Sequence, residues 1–152
     1  MVHFPKWYAF GKVQEARVLP VIREKFQRDI KQSEGQYAKY DFYDDEYNYE
    51  LKSRTFHYRK YDTTMIQLNK TCGCANDDRA LILLFNFTDG LYYIEYDKEK
   101  FDKYFRQQYS QVNESWDERP HLYIPIADLH LLHLWDDKKP DGYKSSQSST
   151  AR

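Results

Sequence analysis

Cysteine is scarce in this 152-residue chain, and its two copies exclude two common kinds of cysteine site. Cys72 and Cys74 are separated by one residue, which is too close for an ordinary disulfide. Two cysteines are also too few for a structural zinc site. This usage fits a reducing, intracellular setting.

Long apolar runs and a strong charge of either sign are also missing. No apolar stretch is long enough to span a membrane, and the first six residues lack the apolar core of a secretion signal. The net charge of −1, with 31% charged residues, argues against a coat protein that binds nucleic acid non-specifically, because such a protein is basic overall. We therefore expect an intracellular protein that is not secreted and does not contact a membrane.

Tyrosine is the residue in excess, with 15 copies beside 9 Phe and 3 Trp. Tyrosine suits half-buried strands, so this abundance predicts β-rich packing. The chain is long enough to bury one core. We predict a single domain over residues 1–135 and a polar, flexible tail over 136–152, where serine and charged residues dominate.

Apolar spacing in the first third of the chain predicts a helix followed by a hairpin. Residues 11 to about 33 carry a nearly helical apolar stripe, in which Pro20 either kinks the helix or starts a second segment. Gly35 interrupts the pattern. The side chains of residues 37–54 then alternate between two faces on either side of the acidic turn Asp44-Asp45-Glu46, as expected for two antiparallel strands.

The rest of the chain predicts an α/β domain with a mixed sheet. Thr63 or Thr64 is expected to cap a helix, Ala80–Phe85 has the apolar run of a buried central strand, and Pro125 favours an edge strand. The predicted elements are a helix from 63 or 64 to about 70–74, a strand pair over 80–85 and 91–96 joined by Asp89-Gly90, a helix over 98–109, a strand over 121–126 and a helix or turn over 127–135.

One short motif in the hairpin suggests chemistry. Glu50-Leu51-Lys52 follows Asp41 by nine residues, on the facing strand. Side chains on a strand alternate, so Glu50 and Lys52 share a face while Leu51 points into the core. A turn near residue 45 would bring Asp41 opposite Glu50, with Cβ atoms roughly 4.5–5.5 Å apart. Two carboxylates so close repel each other unless a cation lies between them.

Two other interpretations of these residues stay open at this stage. An acid-x-lysine triplet on an exposed strand face is common, and an acidic turn is often only solvated. Asp44 or Asp45 would replace Asp41 as the ligand if the turn lay elsewhere.

The order of the predicted elements, with Asp41 and Glu50-Leu51-Lys52 on the hairpin, resembles that of the PD-(D/E)xK nuclease superfamily. Its core is a first helix, a hairpin carrying an acid and an acid-x-lysine, a second helix and a further strand, and residues 11–87 can be laid onto it. The family's aspartate falls on Asp41, and its acid-x-lysine on Glu50-Leu51-Lys52. The first-helix glutamate falls on Glu15 in Gly11-Lys12-Val13-Gln14-Glu15, which is similar to the opening of Holliday-junction resolvases. Tyr40 stands where the name-giving proline would be.

The resemblance implies a restriction-endonuclease-like fold, in which helices flank a mixed sheet, and a metal-dependent nuclease of endo- or exonuclease type. Mg²⁺ or Mn²⁺ would be held by Asp41, Glu50, the Leu51 main-chain carbonyl and Glu15, and Lys52 would orient the attacking water. The substrate would be DNA, with RNA and a homodimer left open. Residues 52–69 are also similar to small proteins of large DNA viruses and phages, which implies the host cytoplasm or nucleus. The expected nucleic-acid contacts are Arg54, Arg59, Lys60, Gln67 and Lys70.

The main alternative is an inert module with the same fold that binds nucleic acid or serves as a structural or interaction protein. The near-neutral charge and the abundance of tyrosine suit that alternative.

Overall fold

A computed structural model of the protein describes residues 6–35, 38–71, 78–107, 110–112, 115–117 and 119–135. The described chain is a mixed α/β domain with a six-stranded sheet, a three-stranded sheet and a small two-stranded hairpin. The helices are α1 (Lys6–Phe26) and α2 (Lys98–Phe101), and Leu68–Lys70 and Ile126–Asp128 form 3-10 turns. The strands are β1 (Lys31–Gln32), β2 (Phe42–Tyr43), β3 (Tyr47–Ser53), β4 (Thr63–Gln67), β5 (Ala80–Phe87), β6 (Gly90–Glu95), β7 (Phe105–Gln107), β8 (Ser110–Val112), β9 (Ser115–Asp117), β10 (His121–Pro125) and β11 (His130–Leu134). The predicted tail over 136–152 lies outside the described residues.

The six-stranded sheet has the order β1-β2-β3-β5-β6-β11 and is mixed. Strands β3 and β5 run parallel, and the other neighbours run antiparallel. Leu81 to Phe87 in β5 are all buried, which confirms the prediction of a central strand covered on both faces. The Asp89-Gly90 turn leads into the antiparallel β6, as predicted. The expectation of a mixed sheet is therefore confirmed.

Helix α1 covers one face of this sheet. It continues through Pro20 as one helix and ends at Phe26, earlier than expected, where Gln27 takes a left-handed conformation with φ 56°. Val18 and Ile22 are fully buried and pack in the same cluster as Tyr49 and Leu51 of β3. In the described part of the chain, no helix is both long enough and apolar enough to cross a bilayer.

The three-stranded sheet, with the order β4-β10-β7, covers the opposite face. Ile66, Leu122 and Ile124 from this sheet share a buried cluster with Leu83 and Phe85 of β5. The expectation that helices flank the mixed sheet is met on one face only, by α1, and a second sheet covers the other face. The alternating apolar side chains of that second sheet offer a continuous face to the main sheet.

The helix predicted from Thr63 or Thr64 to about residue 70–74 is also wrong. Thr63–Gln67 is the strand β4, paired antiparallel with β10, and only Leu68–Lys70 forms a 3-10 turn. Thr64 and Ile66 are buried while their neighbours are half-buried, which is the period of two of a strand. The β-branched side chains in this segment favour that conformation.

Two further helices were overpredicted near the end of the chain. The helix expected over 98–109 is limited to Lys98–Phe101, and Phe105–Gln107 is a strand. The helix or turn expected over 127–135 is a 3-10 turn followed by β11. Strand β10 is central in its sheet and not at an edge, but Pro125 is its last residue and lies beyond the part paired with β7. Partners distant in sequence decided each of these segments.

Candidate active site

The predicted hairpin around residue 45 is present, and its turn is built on Asp44. Strands β2 and β3 pair with Phe42 opposite Tyr49 and Tyr43 opposite Asn48. The Asp44 carboxylate accepts hydrogen bonds from Arg28 Nε at 2.7 Å and the Tyr49 hydroxyl at 2.5 Å, and from two main-chain N–H groups of the turn. Burial would raise the pKa of Asp44, but these hydrogen bonds hold that pKa at about 2. Asp44 is thus committed to the turn and Asp45 is exposed, so neither replaces Asp41.

Asp41 lies immediately before β2 and is docked onto β3. Its N–H donates to the Tyr49 carbonyl at 3.0 Å, and its Oδ2 accepts a hydrogen bond from the Leu51 N–H at 2.8 Å. Tyr49 is also the register partner of Phe42, so the regular β2–β3 pairing ends at Phe42. The side chain therefore occupies the edge of β3 that β2 leaves uncovered.

Glu50 and Lys52 share the face of β3 that looks toward the three-stranded sheet. Glu50 is 3% exposed. Its Oε2 lies 3.2 Å from Lys52 Nζ and 3.4 Å from Lys70 Nζ. Its Oε1 is buried and has no hydrogen-bond partner among the described residues. A buried carboxylate oxygen in that state is costly, so it indicates that a proton or a cation completes the site.

The pKa of Glu50 also indicates that a proton or a cation completes the site. Burial, reinforced by the Asp41 carboxylate, raises the pKa of Glu50 to about 7, although Lys52 and Lys70 act in the opposite direction. Glu50 is therefore poised to exchange a proton near neutral pH. A divalent cation would compete with that proton for the same oxygens.

Glu15 approaches the same aspartate from the helix side. It lies on the inward face of α1, one turn before Val18, where its Oε1 accepts a hydrogen bond from Gln32 Nε2 at 2.8 Å and pairs with Lys12 Nζ at 3.5 Å. Burial and then the Asp41 carboxylate raise the pKa of Glu15. The Asp41 carboxylate therefore acts on both glutamates, Glu50 on its own hairpin and Glu15 on α1.

The Leu51 main-chain carbonyl faces the same edge. In a strand the N–H and C=O of one residue point to the same side, and the Leu51 N–H points to Asp41. The Leu51 side chain points the other way and packs with α1, as predicted. The edge therefore offers both carboxylate and carbonyl oxygens.

The residues predicted to bind nucleic acid lie at different places in the fold and do not form one surface. Lys70 belongs to the carboxylate cluster through Glu50. Arg54 lies at the far end of β3, where it donates to Thr64 Oγ1 and the Met65 carbonyl, and burial lowers its pKa to about 10. Gln67 lies on β4, opposite His121 and not on a helix. We therefore assign Arg54 to packing between the two sheets.

Arg59 and Lys60 are exposed on the loop between β3 and β4. That loop is held by contacts to the β5–β6 turn and to the 3-10 turn after β10, since the Tyr58 N–H donates to Asp89 at 2.9 Å and its hydroxyl donates to the Ile126 carbonyl at 2.7 Å. The structure does not bring this pair into the carboxylate cluster.

The donor set fits a hard divalent cation. Mg²⁺ prefers oxygen ligands, keeps several waters and is often held by only one or two carboxylates. Asp41, Glu50 and the Leu51 carbonyl match that chemistry, and the unpartnered Oε1 of Glu50 supplies an oxygen that no described side chain satisfies. In the described chain, no three His, Cys, Asp or Glu side chains form a ready-made metal cage.

Two supporting residues were not identified from the sequence in these roles. The sequence predicts Lys70 only as a contact for nucleic acid, and it gives no indication of Gln32, which holds Glu15. Both reach the site through chain segments outside the hairpin, so no local pattern marks them. No protein-family model, curated protein or solved structure matches the chain.

Proposed function

We propose that this protein is a metal-dependent nuclease that hydrolyses phosphodiester bonds, with DNA as the substrate. The proposal includes a restriction-endonuclease-like core over residues 11–87, in which the strand Thr63–Gln67 stands where the family has its second helix, and a role in viral or mobile-element DNA metabolism inside a host cell. Three observations support it. Glu50 is buried and paired with Lys52, Asp41 is bonded to the Leu51 N–H of the same strand, and the Asp41 carboxylate contributes to the raised pKa of both Glu50 and Glu15.

The carboxylates would hold the metal. A hard cation such as Mg²⁺ or Mn²⁺ supplies neutralisation of a non-bridging phosphate oxygen and a lowered pKa for a bound water. Asp41 and Glu50 would contribute the charged ligands, and the Leu51 carbonyl a neutral one. Glu15 would hold a water or complete a second metal site.

Lys52 would act on the substrate. Its ammonium lies 3.2 Å from Glu50, on the same face of β3, and it cannot ligate a metal while protonated. With a cation balancing the charge of Glu50, Lys52 would orient the attacking water and would stabilise charge that develops on the phosphate. Lys70 would keep Glu50 in place from the side of the three-stranded sheet.

One observation favours the second candidate function, an inert module. Lys52 and Lys70 already neutralise one Glu50 oxygen, and a proton on the other oxygen would satisfy the remaining acceptor without any metal. Such a cluster would be structural, and the protein would bind nucleic acid or a protein partner without cleaving anything.

A cleavage panel separates the two functions. Linear, nicked, flapped and four-way-junction DNA, single-stranded DNA and RNA are incubated with Mg²⁺ or Mn²⁺ and the wild type, Glu50→Gln or Asp45→Asn. We expect the wild type to cut at least one substrate, Glu50→Gln to lose cleavage, and Asp45→Asn to cut like the wild type, because Asp45 is an exposed carboxylate outside the cluster. Absence of any wild-type cleavage would favour the inert module.

A further inference from the structure

A groove of about 260 Å³ lies on the surface beside the carboxylate cluster. The residues used in the argument below are Lys39, Tyr40, Tyr43, Asn48 and Arg79, all of which line it. Apart from Tyr40, which stands at the proline position of the PD-(D/E)xK motif, these residues belong neither to that motif nor to the basic residues that the sequence predicts to bind nucleic acid. The groove therefore raises a separate question, which is what it holds.

The groove lies close to Glu50 along β3 and through Lys70. Asn48 precedes Glu50 by two residues on β3, so both side chains lie on the same face of the strand. Lys70 Nζ, which is 3.4 Å from Glu50, also donates a hydrogen bond to the Lys39 carbonyl at 2.8 Å. A ligand seated in the groove would thus extend toward the carboxylates.

The groove is basic and aromatic. Lys39 and Arg79 are exposed, and the residues that line it in the described chain include no acid. The Arg79 guanidinium lies 5.4 Å from the centre of the Tyr43 ring, and its Nε donates to the Asp44 carbonyl at 2.7 Å. Lys39 Nζ lies 5.8 Å from the centre of the Tyr40 ring. The positive charges are therefore fixed next to aromatic surfaces.

We propose that this groove binds a single-stranded nucleic acid and leads it to Glu50, an inference that rests on the proposed nuclease function. Lys39 and Arg79 would contact successive phosphates, and a base would stack on Tyr43 beside the guanidinium. Cations along the backbone together with aromatic rings under the bases are the usual means of binding single strands. In a duplex the base faces are already stacked on each other, so this arrangement selects unpaired strands or frayed ends. The volume is slightly below the range of about 300–1,000 Å³ typical of small-molecule pockets, which suits one nucleotide unit at a time.

Binding is measured by fluorescence anisotropy with labelled single-stranded DNA, single-stranded RNA and duplex DNA, in EDTA so that no cleavage occurs. The groove variants are Lys39→Ala, Tyr43→Ala and Lys39→Ala/Arg79→Ala. The matched control is Lys100→Ala/Lys103→Ala, which removes two exposed lysines around α2. Arg59→Ala/Lys60→Ala tests the other basic surface. Thermal melting checks that each variant folds. Because Arg79 also holds the Asp44 carbonyl, the single variant Lys39→Ala tests the groove without changing that contact.

We expect tighter binding of at least one kind of single strand than of duplex. Tyr43→Ala should weaken that binding about tenfold, as loss of one stacked base predicts. The Lys39/Arg79 variant should reduce the slope of log affinity against log salt by about 1.4, since about 0.7 is lost for each phosphate contact on a single strand. Unchanged binding in all groove variants, preferred binding of duplex, or a loss confined to Arg59→Ala/Lys60→Ala would overturn the proposal.

Different results would contradict the proposed single-strand binding in the groove and the proposed nuclease activity. Binding through the groove without wild-type cleavage in Mg²⁺ or Mn²⁺ would support the groove and count against the nuclease. Cleavage by the wild type at the same rate as by the groove variants would support the nuclease activity and would contradict binding of the substrate strand in the groove.

Discussion

The Asp41 carboxylate accepts a hydrogen bond from the main-chain N–H of Leu51 at 2.8 Å. This contact docks the first acid of the motif directly onto the strand that carries Glu50 and Lys52. The relative position of the two acids is thereby fixed by the backbone of β3 as well as by their rotamers. A site held in this way is preorganised, which is what metal-assisted hydrolysis requires.

Removing the charge of Glu50 should stabilise the protein at high pH. The pKa of Glu50 is raised by burial from 4.5 to about 7 on folding, so between these values the folded state holds a proton that the unfolded chain releases. Its contribution to the free energy of unfolding therefore falls as the pH rises through this window, by roughly 3 kcal/mol at most. We expect Glu50→Gln to match the wild type near pH 4.5 and to unfold at higher denaturant concentration at pH 8. Parallel stability curves for the two proteins would contradict this, and Asp45→Asn is the control.

Divalent metal should stabilise the wild type. A ligand that binds only the folded state raises the melting temperature by mass action. We expect Mn²⁺ or Ca²⁺ to raise it more at pH 8 than at pH 6, because protons compete for Glu50 at the lower pH. Glu50→Gln should lose most of the shift, whereas Asp45→Asn should keep it. A thermal-shift titration checks this, and equal shifts in all three proteins would indicate that the metal binds elsewhere.

Replacing Lys52 with alanine should abolish cleavage and leave metal binding largely intact. The Lys52 ammonium pairs with Glu50 but is not a metal ligand. We expect turnover to fall at least about 100-fold, the loss typical when a group that stabilises transition-state charge is removed. Isothermal calorimetry should give an affinity for Mn²⁺ close to that of the wild type. Lys103→Ala controls for loss of a lysine, and a variant that loses metal affinity but still cleaves would reverse the assignment.

Asp44 should contribute to stability and not to catalysis. Its hydrogen bonds, opposed by burial, hold its pKa at about 2 in the folded protein, against 3.8 ordinarily. The stability it contributes is present above about pH 4 and is lost as the pH falls toward 2. We expect Asp44→Ala to lower the free energy of unfolding at pH 7 by about 2–4 kcal/mol, because Arg28 and Tyr49 lose their partner. Urea denaturation measures the loss. Cleavage by the folded fraction should persist, and its complete loss would bring Asp44 into the active site.

The sequence by itself determined the parts of this protein that depend on neighbouring residues. The alternation in Tyr47–Ser53, the acidic turn before it and the Asp-Gly turn after β5 are short-range patterns, and the structure has the strands and turns that they predict. The shared face of Glu50 and Lys52 follows from the same period of two. The position of Glu15 on the inward face of α1 follows from helical spacing.

Only the tertiary structure decided which distant segments meet. Thr63–Gln67 has β-branched side chains that favour a strand and threonines that can cap a helix, and pairing with β10 made it a strand where a helix was expected. That pairing carries the chain back past β3, so that Thr64 meets Arg54 and Lys70 reaches Glu50. Burial under the second sheet raises the pKa of Glu50 and leaves one of its oxygens without a described partner. Desolvation depends on everything packed around a group, so no local pattern in the sequence contained it.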